Sequence, residues 1–139
     1  MIGPDNHTRS VMGYQTTIDD PHGVVEIRFS EAIRPEEHLK ARDELLQICR
    51  DRNIRKILVD ARQLEIRGET STMTLFDFGA SWADLTRDMP VLLAGVLPRD
   101  THTQKELMFG DTVAFNRGFV TRAFDDIEDA RVWLRSTDR

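Results

Sequence analysis

Hydrophobic and polar positions change period several times along the chain, and each change marks an element. Val25, Ile27 and Phe29 alternate with Glu26 and Arg28, the two-residue repeat of a half-covered strand. Tyr14–Ile18 precedes this segment across Asp19-Asp20-Pro21-His22-Gly23, a turn-forming cluster closed by glycine. Together they predict a β-hairpin with a longer loop. From Pro35 to Arg52 the period lengthens: Leu39, Leu45, Leu46 and Cys49 recur at helical spacing. Pro35 suits a first helical turn, Glu36 and Glu37 favour a helix N-terminus, and Asn53 is a C-terminal stop.

Two later runs show no alternation. Ile54–Val59 carries Ile57-Leu58-Val59 and ends at Asp60, and Val91–Leu97 lies between Pro90 and Pro98. Uninterrupted apolar runs of this length predict strands buried on both faces. Helical patterns run from Ser71 or Thr72 to Leu85, and from about Thr103 to Arg117, where Gly118 is a good terminator. Phe119–Phe124 reads as a fifth strand, and Asp125-Asp126-Ile127-Glu128 as a capping box opening a last helix with Ile127, Ala130, Val132, Trp133 and Leu134. The order β-β-α-β-α-β-α-β-α predicts an α/β single domain. Its sheet is mixed, mostly parallel and five-stranded, opened by a β-hairpin and accompanied by four helices, on both faces or weighted to one. Residues 1–13 hold Gly3, Pro4, Asp5, Asn6 and Gly13 without a period, which predicts a flexible tail ahead of a domain over 14–139.

The second helix is too apolar for a helix resting on one sheet. Met73, Phe76, Ala80 and Ala83 form one stripe, Leu75, Phe78, Trp82 and Leu85 another, and Thr74, Asp77, Ser81 and Asp84 a narrow polar wedge. A helix on a sheet needs an apolar arc of only ~100° or a little more. Neighbouring helices, a second copy of the chain or an apolar ligand would have to cover the rest. Gly79 would let another backbone or a ligand come close. On the third helix Leu107, Met108, Ala114 and Phe115 face one way, while Phe109 and Val113 face the other. The expected working surface is therefore Met73, Leu75, Phe76, Phe78, Trp82, Leu85, Met108 and Phe109. It would serve a homodimer, another protein partner or an apolar small molecule. Asp111 falls inside the apolar arc of the third helix, so it belongs at a polar edge or beside Arg117 or Arg122.

Composition narrows the partners. The chain has 139 residues, with 19 Lys and Arg against 24 Asp and Glu, a net charge of −5. That balance argues against nucleic acid or an anionic membrane surface as the main partner. A single cysteine excludes an internal disulfide and a cysteine-built zinc cage. No run approaches the ~20 apolar residues of a membrane span, and no signal-peptide pattern opens the chain, so the expected location is the cytoplasm.

Motifs of catalysis are absent. There is no Gly-x-Gly-x-x-Gly, Walker A or Gly-x-Ser-x-Gly sequence, and no catalytic residue or cofactor is assigned. His102 and Glu106 share a helix face without an evident third ligand, so no metal is expected. His38, beside two glutamates, reads as solvated, Cys49 as inert core, and the arginines at 50, 52, 55, 62 and 67 as a solvated rim or a contact for an anion or acidic partner.

The hairpin with VVEIRFS, the strand KILVDAR ending in Asp60, the helix beginning near GETSTM and the closing AFDDIEDARVWL together resemble the STAS-like domains of bacterial anti-anti-sigma factors, also called SpoIIAA-like. They are closest to the stand-alone bacterial branch grouped with the Sec14-like lipid-binding superfamily. The resemblance covers residues 14–135. It implies a non-catalytic binding or regulatory protein acting through protein–protein contacts, switched by phosphorylation at the start of the second helix. The matching segment, Gly68–Met73, lacks the family's Asp-Ser-Ser-Gly-like signature. Ser71, then Thr72 and Thr70, are the candidates there, either as phosphoacceptors at the positive end of the helix or as its N-cap. The rival expectation is a small carrier or sensor of a lipid or other apolar ligand bound between helices two and three.

Overall fold

The computed structural model describes residues 9–11, 13–30, 33–65 and 72–137, without the side chains of 9–11, 35 and 72–76. Among these residues six strands form one sheet in the order of the chain: β1 (Arg9–Val11), β2 (Tyr14–Asp19), β3 (Val24–Phe29), β4 (Lys56–Asp60), β5 (Leu92–Val96) and β6 (Val120–Phe124). β1, β2 and β3 pair antiparallel, and β3 to β6 pair parallel. The helices are α1 (Pro35–Arg52), α2 (Thr72–Leu85), α3 (Thr101–Asn116) and α4 (Ile127–Ser136). The mixed α/β architecture expected from the periodicity is present. Within the segment expected as a tail, Arg9–Val11 adds an edge strand to the hairpin.

Strand order dictates where the helices lie. From β3 to β6 each new strand is added on the same side of the last, so crossovers of one hand leave their helices on one face. Ala41, Leu45, Leu46 and Cys49 of α1, Trp82 and Ala83 of α2 and Ala114 of α3 share one core with Val25, Ile27, Ile57 and Leu93. Among the described residues, α4 covers the other face, where Ala130 and Leu134 meet Val24, Leu58, Leu92, Ala94 and Val96. Covering both faces explains the missing alternation: Ile57 and Leu58, adjacent in β4, are both fully buried. The progression from β3 to β6 never reverses, so this part of the sheet lacks the switch-point crevice that serves doubly wound folds as a ligand site.

Local signals set the helix ends. Pro35 occupies the first turn of α1, the Glu37 carboxylate accepts from the Arg34 N–H at 3.0 Å, and Asn53 closes the helix at φ 55°. α3 starts two residues earlier than the pattern predicts, because Asp100 accepts from the Thr103 N–H at 2.9 Å. In α4 the cap is Asp126, which accepts from the Asp129 N–H at 3.1 Å, rather than the expected Asp125.

α2 and α3 pack on each other through two glycines. A Cβ added to Gly79 would be driven into the carbonyl oxygen of Gly110, so the backbones touch where side chains would normally separate them. The excess apolar circumference of α2 is thus covered in part by its own chain. Trp82, expected on an interaction surface, is only 9% exposed. Its ring packs against Phe119 at 5.6 Å, and Phe78 meets it edge-on at 6.4 Å.

Candidate functional site

Close approach of the two helices does not bring them flush onto the sheet. A cavity of about 110 Å³ remains between α1, α2, α3 and the strands, bordered by Phe29, Leu45, Val59, Leu64, Phe78, Trp82, Leu93, Leu107 and Phe119. The floor is open because of Gly95 on β5. Among the described residues, a Cβ there would have only the Leu93 Cδ2 within reach, at 4.0 Å. Gly79 and Gly110 also line the space, so the contact that draws α2 to α3 shapes one wall.

One side of the cavity is a file of rings. Phe29 lies 5.1 Å from His38, His38 meets Phe78 edge-on at 6.2 Å, and Phe78 leads to Trp82 and Phe119. His38 was expected on a solvated face. It instead packs between two phenylalanines, and burial lowers its pKa more than the neighbouring Glu37 carboxylate raises it. The imidazole is held neutral and acts as part of the wall.

Among the described residues, the titratable side chains that border this space are His38, Arg42, Glu106 and Asp111. Arg42 is engaged, donating to the Ser81 hydroxyl at 2.8 Å and to the Asp43 carboxylate at 2.9 and 3.0 Å. Glu106 lies 3.8 Å from His102. Asp111 is half-buried on α3. It faces the cavity, no described residue hydrogen-bonds to its carboxylate, and burial pushes its pKa up to about 6. Arg122, one of its expected partners, sits 5.1 Å above the ring of Phe124.

The remaining candidates are placed differently. Ser71 and Thr70 lie outside the described residues, as do the side chains of Thr72, Met73, Leu75 and Phe76. Leu85, Met108 and Phe109 are exposed, and Phe115 is more exposed still at 61%. Phe78 points inward and lines the cavity. Cys49 is fully buried and its thiol is pushed up to about 11, mainly by burial, so it is unreactive at neutral pH.

The arginine stretch is largely tied down. Arg62 forks onto Asp60 at 2.8 and 2.9 Å. Burial alone would raise the Asp60 pKa, and these bonds more than offset it, leaving it below the usual range. Arg55 donates to the carbonyls of Cys49 and Ile54, Arg50 to that of Leu85, and Arg52 stands near Asp20; Arg67 lies outside the described residues. On the α4 face, Arg131 forks onto Glu26 at 3.1 Å beside Asp60 and Arg62, lining a shallow polar depression that Arg28, bonded to Gln15, also borders.

Among the described residues, no cluster of three or more His, Cys, Asp or Glu is placed to hold a metal, and no helix is long and apolar enough to cross a membrane. The chain matches no family model, and no curated protein matches it.

Proposed function

We propose that this protein binds a small, largely apolar molecule in the cavity beneath α1, α2 and α3, as a carrier or sensor. The observation that supports this reading is the cavity itself. It is walled by aromatic and aliphatic side chains, left open by Gly95, and entered by a few polar groups, the general make-up of a small-molecule site. Well-packed cores keep few voids larger than a water molecule. At about 110 Å³ the space suits a benzene-sized molecule or a short acyl or alkyl chain, rather than a whole lipid.

Gly95→Val tests it. The added side chain enters the cavity from its floor and is expected to raise stability by about 1 kcal/mol, from burial and from the loss of a strand glycine. Titration of benzene or n-butanol should shift the Trp82 indole resonance in the wild type and leave it unmoved in Gly95→Val. A wild-type spectrum indifferent to these compounds and to their short-chain charged analogues ends this reading.

A STAS-like role in protein contacts is the second reading, and the apolar side chains left in water favour it. Met108 and Phe115 are seven residues apart on one face of α3, and both are exposed, as are Phe109 and Leu85. Met108→Glu with Phe115→Glu should convert a self-associated species to monomer in size-exclusion chromatography with light scattering. A wild type that is monomeric at high concentration and fails to bind any candidate protein partner removes this reading.

A further inference from the structure

Resting on the cavity reading above, we infer that the ligand is a small organic cation: a protonated amine whose short hydrocarbon body lies against the rings while its ammonium group meets Asp111.

Two independent features of the cavity point the same way. The first is the set of aromatic rings. Phe29, Phe78, Trp82 and Phe119 all border the space, and a cation that settles over the face of such a ring is drawn by the negative part of its quadrupole. The second is the pattern of charge. Arg42 is already neutralised by Asp43 and held by Ser81. His38 is kept neutral by burial. Glu106 has only a long contact to His102, and Asp111 has no hydrogen-bonding partner among the described residues. The balance inside the cavity is therefore negative. A carboxylate without a partner in an apolar space is costly, and a ligand that donates hydrogen bonds and carries positive charge relieves that cost in the bound state. A neutral hydrocarbon would leave Asp111 as it was, and a carboxylic acid would bring a second like charge beside it. At neutral pH Asp111 is mainly ionised despite its raised pKa of about 6, so it can pair with an ammonium group.

Three probes of equal chain length separate these cases: n-butylammonium, n-butanol and butyrate, titrated into the full chain at pH 7. The Trp82 indole N–H is the reporter. The Trp133 indole, against Phe124 on the opposite face of the sheet, is the internal control. The amine is expected to bind roughly tenfold tighter than the alcohol, with butyrate weakest. In Asp111→Asn the preference should disappear, with amine and alcohol binding within about twofold of each other. If the alcohol binds the wild type as tightly as the amine, or if Asp111→Asn keeps the preference, this inference falls while the cavity reading stands. If none of the three moves the Trp82 signal, both fall. Binding of butyrate above the amine would overturn the sign of the recognition.

Discussion

Gly79→Ala is expected to destabilise the protein by about 2–3 kcal/mol, the upper part of the range for forcing extra volume into a closed contact. The substitution should help by helix propensity alone, since alanine is favoured over glycine by roughly 1 kcal/mol in a helix interior. The new methyl group, however, would be driven into the Gly110 carbonyl oxygen, which is backbone and cannot rotate away. α2 would have to lift from α3 or tilt, parting Trp82 from Phe119 and widening the cavity. For a chain of this size the loss should appear as a fall of roughly 10 °C in the midpoint of thermal unfolding. Gly95→Ala is the matched control, because its Cβ meets nothing closer than 4.0 Å among the described residues. A Gly79→Ala protein as stable as the wild type would mean that the two helices do not approach through these glycines.

Asp111→Asn should do the reverse and stabilise the unliganded protein at neutral pH. Burial raises the Asp111 pKa from the ordinary 3.8 to about 6, so the folded protein holds this proton more tightly than the unfolded chain does. The stabilising contribution of the protonated form is full below about 3.8 and is lost as pH rises through about 6. Wild-type stability therefore declines across that window for this group, and asparagine, which does not titrate, removes the decline. The variant should match the wild type near pH 4 and exceed it by about 2 kcal/mol at pH 7, allowing for partial exposure of the carboxylate. Urea unfolding at the two pH values measures this. An advantage of the same size at both would mean that the charge is not its source.

The two expectations bear on function as well as stability. A position at which the charged residue weakens the fold is one where a ligand has something to restore, and improved stability with lost recognition is the familiar trade at binding sites. Asp111→Asn should therefore be the sturdier protein and the poorer amine binder. Gly79→Ala, by contrast, should impair stability first.

Much of the architecture was legible because it is written in local chemistry. β4 and β5 announce themselves as apolar runs without alternation, and β3 by its two-residue period. Pro35 and Asn53 bracket α1 by fixed backbone preferences. β1 was not legible: three residues have no period to read, and Arg9–Val11 becomes a strand only by pairing with β2. Asp125 with Glu128 fits a capping box in sequence, yet Asp126 is the residue whose carboxylate meets the first turn of α4.

The candidate site divides along the same line. The residues alone determined that α2 carries more apolar circumference than a sheet can cover, that Gly79 permits close approach, and that Asp111 lies within an apolar arc. A helical wheel says which side chains share a face, and nothing about what stands opposite. Only the folded chain decided that α3 covers part of α2, that Trp82 turns inward, that His38 stands between Phe29 and Phe78, and that the space before Asp111 stays open. The physical reason is that a cavity belongs to no segment. It exists where Gly79 meets Gly110 and where Gly95 lacks a side chain, positions brought together by long-range packing that no local period records.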